Sequence, residues 1–219
     1  MMGILMEGPR SVFENVLRKA HNSSCLVLGA GPETNQIENI GSFVVGINIS
    51  FEEMQSTKGA SSNLIKADAQ WLPIKESSFD ILFCRSTLHH LKDVARASNE
   101  INRVTKKDSL IFFHEPGLLN FVAFICRKFF PTSIHDPSEK PFIPSVLKRF
   151  LSKEFHIKEE YYFLLFAHAL PVIGKKVRFF GNVRILNAMS SLDKFLCKTP
   201  FKNLCWIFVF VINKGQDFS

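Results

Sequence analysis

Three short stretches of the 219-residue chain hold the side chains with the most chemical potential. The first is LVLGAGPE, an apolar run ending in Gly29-x-Gly31. Glycines directly after a buried strand let the backbone turn tightly and approach a ligand with no Cβ in the way. The second is GINIS, which puts Asn48 at the tip of the next apolar run. In nucleotide-binding α/β folds that tip faces ribose hydroxyls, because ligands sit at the carboxyl ends of the strands. An amide both donates and accepts, so Asn48 can pair with a diol. It can equally cap the helix that follows, with Ser50 as the competing cap. The third stretch, residues 66–93, reads KADAQWLPIKESSFDILFCRSTLHHLKD. It carries Asp68 at a strand end, the Leu72-Pro73 pair, Asp80 in SFD, and the adjacent His89 and His90. His114 and Glu115 end a later apolar run. His89, His90 and His114, with Glu115, are the candidates for moving a proton, and no single one stands out as catalytic.

Positioning these groups takes a sheet. Residues 24–31, 42–50, 62–68, 79–85 and 109–117 are apolar runs of strand length, several of them closed by turn residues. Helical spacing lies between them. Residues 8–20 place Val12, Val16 and Leu17 on one face, and residues 93–104 do the same with Val94, Ala97, Ile101 and Val104. Strands alternating with helices imply βαβ units and a parallel sheet. Further on, the pattern predicts helices at 118–130 and 145–151, with a proline-containing loop between, and strands at 156–163 and 203–213. Residues 164–202 look helical and basic.

The order LGAG, GINIS, ADAQ-LP, SFD, LHHL-D resembles the class I methyltransferases that use S-adenosylmethionine (SAM). It is closest to the small-molecule group called type 11, which includes relatives of the ubiquinone and menaquinone C-methyltransferases. The resemblance covers residues 24–117. It implies a three-layer, Rossmann-like α/β sandwich with a seven-stranded, mostly parallel sheet whose last strand is antiparallel. The whole chain is then one domain, with residues 164–202 a helical insertion between strands six and seven. SAM is the implied cofactor. Gly29, Ala30 and Gly31 would line its amino-acid end, Asn48 would face the ribose, and Ile49 would pack on the adenine. Asp68 would accept from the adenine amino group beside the Ala69 backbone, and Arg85 would pass close to the methionine part. Three positions depart from the family pattern. Val27 stands where an acidic residue is usual, Glu33 where a third glycine is usual, and Asn48 where Asp or Glu is usual. A methyltransferase fold kept for binding or regulation, with little activity, is the alternative. A nicotinamide-dependent oxidoreductase fits less well, because it calls for a fuller G-x-G-x-x-G and an acid at the second strand tip.

Composition narrows the rest. Apolar residues make up 46% of the chain and charged residues 21%, so it folds rather than staying disordered. Five widely spaced cysteines with no C-x-x-C pair predict buried thiols, not a disulfide framework or a metal site. No apolar stretch is long enough to span a membrane, and no leader pattern is visible, so a cytoplasmic location is the expectation. The net charge is +7, concentrated so that residues 140–219 carry +8. The insertion mixes Phe166, Leu170, Val177, Phe179, Phe180, Ile185 and Leu186 with Lys175, Lys176, Arg178 and Arg184. An apolar, basic cover suits a hydrophobic, lipid- or isoprenoid-like small-molecule acceptor, reached by peripheral contact with a membrane surface. Aromatic and basic residues do not interleave in a recognised RNA-binding pattern, so nucleic acid is not the expected partner.

Overall fold

The computed structural model describes residues 9–55, 63–120, 140–163 and 183–215. Seven strands form one sheet: β1 Ser24–Leu28, β2 Phe43–Asn48, β3 Leu64–Lys66, β4 Phe79–Arg85, β5 Thr105–Pro116, β6 His156–Phe163 and β7 Ile207–Asn213. Their order is β3-β2-β1-β4-β5-β7-β6. All neighbours pair in parallel except β7, which runs antiparallel to both β5 and β6. The helices are α1 Pro9–Lys19, α2 Thr34–Glu38, α3 Phe51–Gln55, α4 Val94–Val104, α5 Pro144–Leu151 and α6 Val183–Leu196. Short 3₁₀ turns occupy Leu88–His90 and Pro200–Leu204. The seven-stranded sandwich expected from the resemblance is the fold observed.

The central strands are apolar throughout because both faces are covered. In β1, Leu26 and Leu28 pack into the layer that holds Ile101, Val104, Leu147 and Leu151 of α4 and α5. Cys25 and Val27 pack the other way, against Val12, Phe13, Val16 and Leu17 of α1. Val27, where the family has an acid, is therefore a core residue, 2% exposed.

Two strands are shorter than the apolar runs suggest. Of the described residues 63–68 only Leu64–Lys66 pair in the sheet. The last strand begins at Ile207 instead of 203, because Pro200–Leu204 winds into a 3₁₀ turn whose cap, Thr199 Oγ1, accepts from the Phe201 amide at 3.2 Å. Residues 121–130 of the helix expected at 118–130, the prolines at 131 and 137, Cys126, and residues 164–182 of the insertion lie outside the described residues. Cys25, Cys84, Cys197 and Cys205 are free thiols. Among the described residues no cluster suits a metal ion, and no helix is long and apolar enough to cross a membrane.

Asp80 clamps the amino ends of three strands. It accepts from the Ser24 amide at 3.0 Å and from Lys106 Nζ at 2.9 Å, and Ser24 Oγ hydrogen-bonds the same carboxylate. Burial pushes its carboxyl up, but the hydrogen bonds from Lys106 and Ser24 outweigh that and hold it at about 2. A depressed carboxyl stabilises the fold above its usual value of 3.8, and that contribution fades as the pH falls towards 2. Asp80→Asn is therefore expected to flatten the loss of thermal stability between pH 4 and pH 2. The Lys106–Asp80 pair is about 42% exposed on each side, so the change at neutral pH should stay under about 1 kcal/mol. Thermal scans across that pH range check it, and parallel acid limbs in both proteins would contradict it.

Candidate functional site

The turn after β1 is built on one residue with left-handed backbone geometry. Gly29 has φ +73°, and the Gly29 and Ala30 amides both donate to Ile47 O, at 2.8 and 3.0 Å. A Cβ on Gly29 would run into Thr87 Oγ1. That hydroxyl donates within the protein, lying 3.1 Å from Leu28 O and 2.9 Å from Arg85 O. Gly31 differs. A Cβ there would meet only the Glu33 carboxylate at 3.5 Å and Gly29 O at 3.8 Å, which is ordinary contact. Among the described residues, packing gives Gly31 no reason to be glycine, and the position leaves room for close approach to the backbone. Ala30 is fully buried. Above the turn, Arg85 Nη1 stands 3.8 Å from Glu33 Oε2. The two charges face each other across the mouth of the turn, beyond hydrogen-bond reach.

At the tip of β2, Asn48 sits where the sequence puts it, but its amide is turned into the protein. Nδ2 donates to Ala30 O at 3.1 Å and to Glu53 Oε2 at 2.8 Å, while Oδ1 accepts from the Ser50 amide at 2.9 Å. Ser50 takes the capping role, its Oγ accepting from the Glu53 amide at 3.3 Å. The next residues do the reverse. Ile49 is 66% exposed and Phe51 55%, an apolar surface on a strand tip. Beside it, Ala67 N donates to Asn48 O at 3.1 Å, so Asp68 follows directly on the neighbouring strand end. Gln70 holds the Asp68 carboxylate through its amide N–H at 2.8 Å and its side chain at 2.9 and 3.0 Å. Gln70 Oε1 in turn accepts from the Asp93 amide, and Asp93 caps α4 through Arg96 N. Ala69 is buried beneath Asp68. Leu72 is pinned through its amide to Glu100 and through its carbonyl to Arg103. Asp68, Gln70, Leu72 and Asp93 of the spaced motif are thus tied by hydrogen bonds that fix the loop after β3 against α4.

The three histidines part company. His89 is buried and its Nδ1 lies 2.7 Å from Glu115 Oε2. Glu115 is fully buried, and its other oxygen accepts from the Thr87 and Leu88 amides at 3.1 and 3.0 Å. A carboxylate serving as acceptor throughout puts the His89 proton on Nδ1 and leaves Nε2 as the basic nitrogen. His90 is exposed and lies against His89, ring centroids 4.1 Å apart. His114 is buried on β5, opposite Arg85 in the strand register. The His89 carbonyl accepts from the Lys140 amide at 2.9 Å, and the residues that follow Lys140 line, with Val94, a groove of about 370 Å³. Its walls are apolar: Val94, Pro141, Phe142, Ile143, Leu147 and Phe150.

Gly29, Gly31, Asn48, Ile49, Asp68 and Arg85 lie at or just past the carboxyl ends of β1 to β4. Thr87, Glu53 and Gln70 belong to the same region and carried no sequence signal of their own. Only Gln70 sits inside a recognisable motif.

Residues 26–113 match the methyltransferase domain family. A curated protein of Methanocaldococcus jannaschii, itself uncharacterized, is 27% identical over 95% of this chain and 83% of its own length. An uncharacterized methyltransferase of Bacillus subtilis is 37% identical over 32% of this chain and 30% of its own length. Among solved structures, one described as a putative methyltransferase from Bacillus halodurans superposes with a TM-score of 0.61 at 16% identity. It covers 94% of this chain and all of that one. A SAM-dependent methyltransferase from Archaeoglobus fulgidus gives 0.61 at 16% identity, covering 95% and 96%.

Proposed function

We propose that this chain, a SAM-dependent methyltransferase of class I fold, methylates a small, hydrophobic, lipid- or isoprenoid-like acceptor. The observation that supports the acceptor class is the apolar groove between Val94 and residues 141–150. A polar or sugar-like acceptor would leave its hydroxyls unpaired against those walls.

The residues at the strand ends suit the cofactor. Gly31 leaves room beside the backbone, and the solvent-exposed side chain of Ile49 offers an apolar face to a flat base. Asp68, already held in place by Gln70, offers an acceptor for an exocyclic amine. Arg85 and Glu33 present opposite charges about as far apart as the two charged ends of an amino acid. When bound, SAM supplies a methyl group activated by its sulfonium. The chain then has to align the acceptor, exclude water and, for an acceptor atom that carries a proton, remove it. His89 is the group suited to the last task. Glu115 holds its ring in one orientation and tautomer.

A membrane-facing side is consistent with this reading. Leu192, Phe195, Phe201 and Leu204 are exposed on α6 and the turn after it, and Lys194 and Lys198 are exposed beside them. Exposed apolar groups ringed by lysines favour an anionic lipid surface.

The test combines three measurements on the full chain. Calorimetry should show S-adenosylhomocysteine binding. Incubation with methyl-labelled SAM and a lipid extract should place the label in organic-soluble product. Anionic vesicles should carry the protein upward in flotation at low salt. Label found only in RNA or protein would remove the acceptor class. Binding of S-adenosylhomocysteine with no transfer to any fraction would favour the regulatory alternative.

A further inference from the structure

A ribose diol bound in an α/β crevice needs an acceptor, commonly an acidic side chain near the end of the second strand. Here that tip carries Asn48, and its amide is occupied inside the protein. We propose that Glu53, aimed by Asn48, is the acceptor for the ribose hydroxyls of the cofactor. The inference rests on the methyltransferase reading above.

Four hydrogen bonds, two of them made by Glu53 itself, place this residue. Asn48 Nδ2 bridges Ala30 O in the glycine turn and Glu53 Oε2 in α3, at 3.1 and 2.8 Å. One amide thereby joins the glycine turn to α3. Ser50 caps α3 through the Glu53 amide and is itself held by Asn48 Oδ1. The start of α3, and with it the Glu53 backbone, is registered to the strand tip. Asn48 is 8% exposed, whereas Glu53 is an exposed residue. The exposed carboxylate thus stands one side chain outward from the strand tip. Glu52, the neighbouring acid, lies instead 3.1 Å from Ser50 Oγ.

The pairing also explains why position 48 is an amide. An aspartate there would set two carboxylates within hydrogen-bond distance of each other, and like charges that close cannot both stay ionised at small cost. Asn48 donates, so it orients the Glu53 carboxylate and leaves that group its charge. A carboxylate can take two neighbouring hydroxyls, one on each oxygen.

Calorimetric titration with S-adenosylhomocysteine and with its 2′,3′-dideoxy analogue tests this. Glu53→Gln is expected to bind S-adenosylhomocysteine roughly tenfold more weakly than the unaltered protein, as the loss of a charged acceptor implies. The same substitution should leave affinity for the dideoxy analogue nearly unchanged. Adding Asn48→Asp to Glu53→Gln returns a carboxylate to the strand tip and should recover most of the affinity, whereas Asn48→Asp alone should weaken binding. Equal affinity of Glu53→Gln and the unaltered protein for S-adenosylhomocysteine overturns the proposal, and leaves the methyltransferase reading standing. So does an equal loss for both ligands, which marks Glu53 as a mere brace for α3. No binding by the unaltered protein sinks both readings together.

Discussion

Gly29→Ala is expected to lose S-adenosylhomocysteine binding by at least about a hundredfold and to destabilise the fold by about 3 kcal/mol. Two effects add. A side chain at φ +73° takes on left-handed strain of about 1–2 kcal/mol. The new Cβ then collides with Thr87 Oγ1, and that hydroxyl cannot retreat without giving up its hydrogen bonds to Leu28 O and Arg85 O. Those carbonyls end β1 and β4, so the disturbance reaches both strand tips that shape the crevice. Removing the obstacle separates the effects. In Gly29→Ala with Thr87→Ala the collision is gone and only the backbone strain remains, so the double variant should be less damaged than the sum of the singles. Denaturant unfolding of the four proteins gives that coupling. Strict additivity would show that Thr87 does not support the turn.

The coupling also shows what the sequence reveals and what it hides. The sheet was legible because strands buried on both faces are apolar without interruption: SCLVL, FVVGIN and FDILFCR read as strands from composition alone. The strand tips were legible for a related reason, since Gly29, Asn48, Asp68 and Arg85 each interrupt such a run where the chain must leave the sheet. Side-chain partners were not legible, because they depend on residues far apart in the chain. Thr87 lies 58 positions after Gly29, and Glu115 lies 26 after His89. Asn48 was readable as a diol partner from its position, yet nothing local shows that Ala30 O, Ser50 N and Glu53 consume its amide. SFD marks the resemblance as clearly as the glycines do, but Asp80 works at the opposite end of the sheet, joining β1, β4 and β5 through Ser24 and Lys106. A motif can thus identify a fold through a structural clamp. The shortened third strand has the same moral: Asp68 and Ala69 follow an apolar run but turn away to meet Gln70, a choice made by a side chain two residues on.

Glu115 offers the sharpest separation of structure from chemistry. Glu115→Ala is expected to destabilise the protein by about 3–5 kcal/mol, since it strands the Thr87 and Leu88 amides and His89 Nδ1 in a fully buried place. Glu115→Gln should behave differently. Its carbonyl oxygen can still accept from the two backbone amides, so most of the stability should remain. Its –NH₂ must then face His89 Nδ1, and two donors cannot share one hydrogen bond. The imidazole answers by moving its proton to Nε2, which leaves Nδ1 to accept from the amide and removes the basic nitrogen. Nitrogen NMR of the His89 ring should therefore show the Nδ1–H tautomer in the unaltered protein and Nε2–H in Glu115→Gln. If the acceptor atom carries a proton, methyl transfer should fall by about 10²–10⁴-fold in Glu115→Gln, with S-adenosylhomocysteine affinity preserved. If transfer persists while the tautomer has changed, the nucleophile carries no proton and His89 only shapes the site. An unchanged tautomer would instead show that the proton on Nδ1 is not set by Glu115, and the dyad would lose its role as an oriented base.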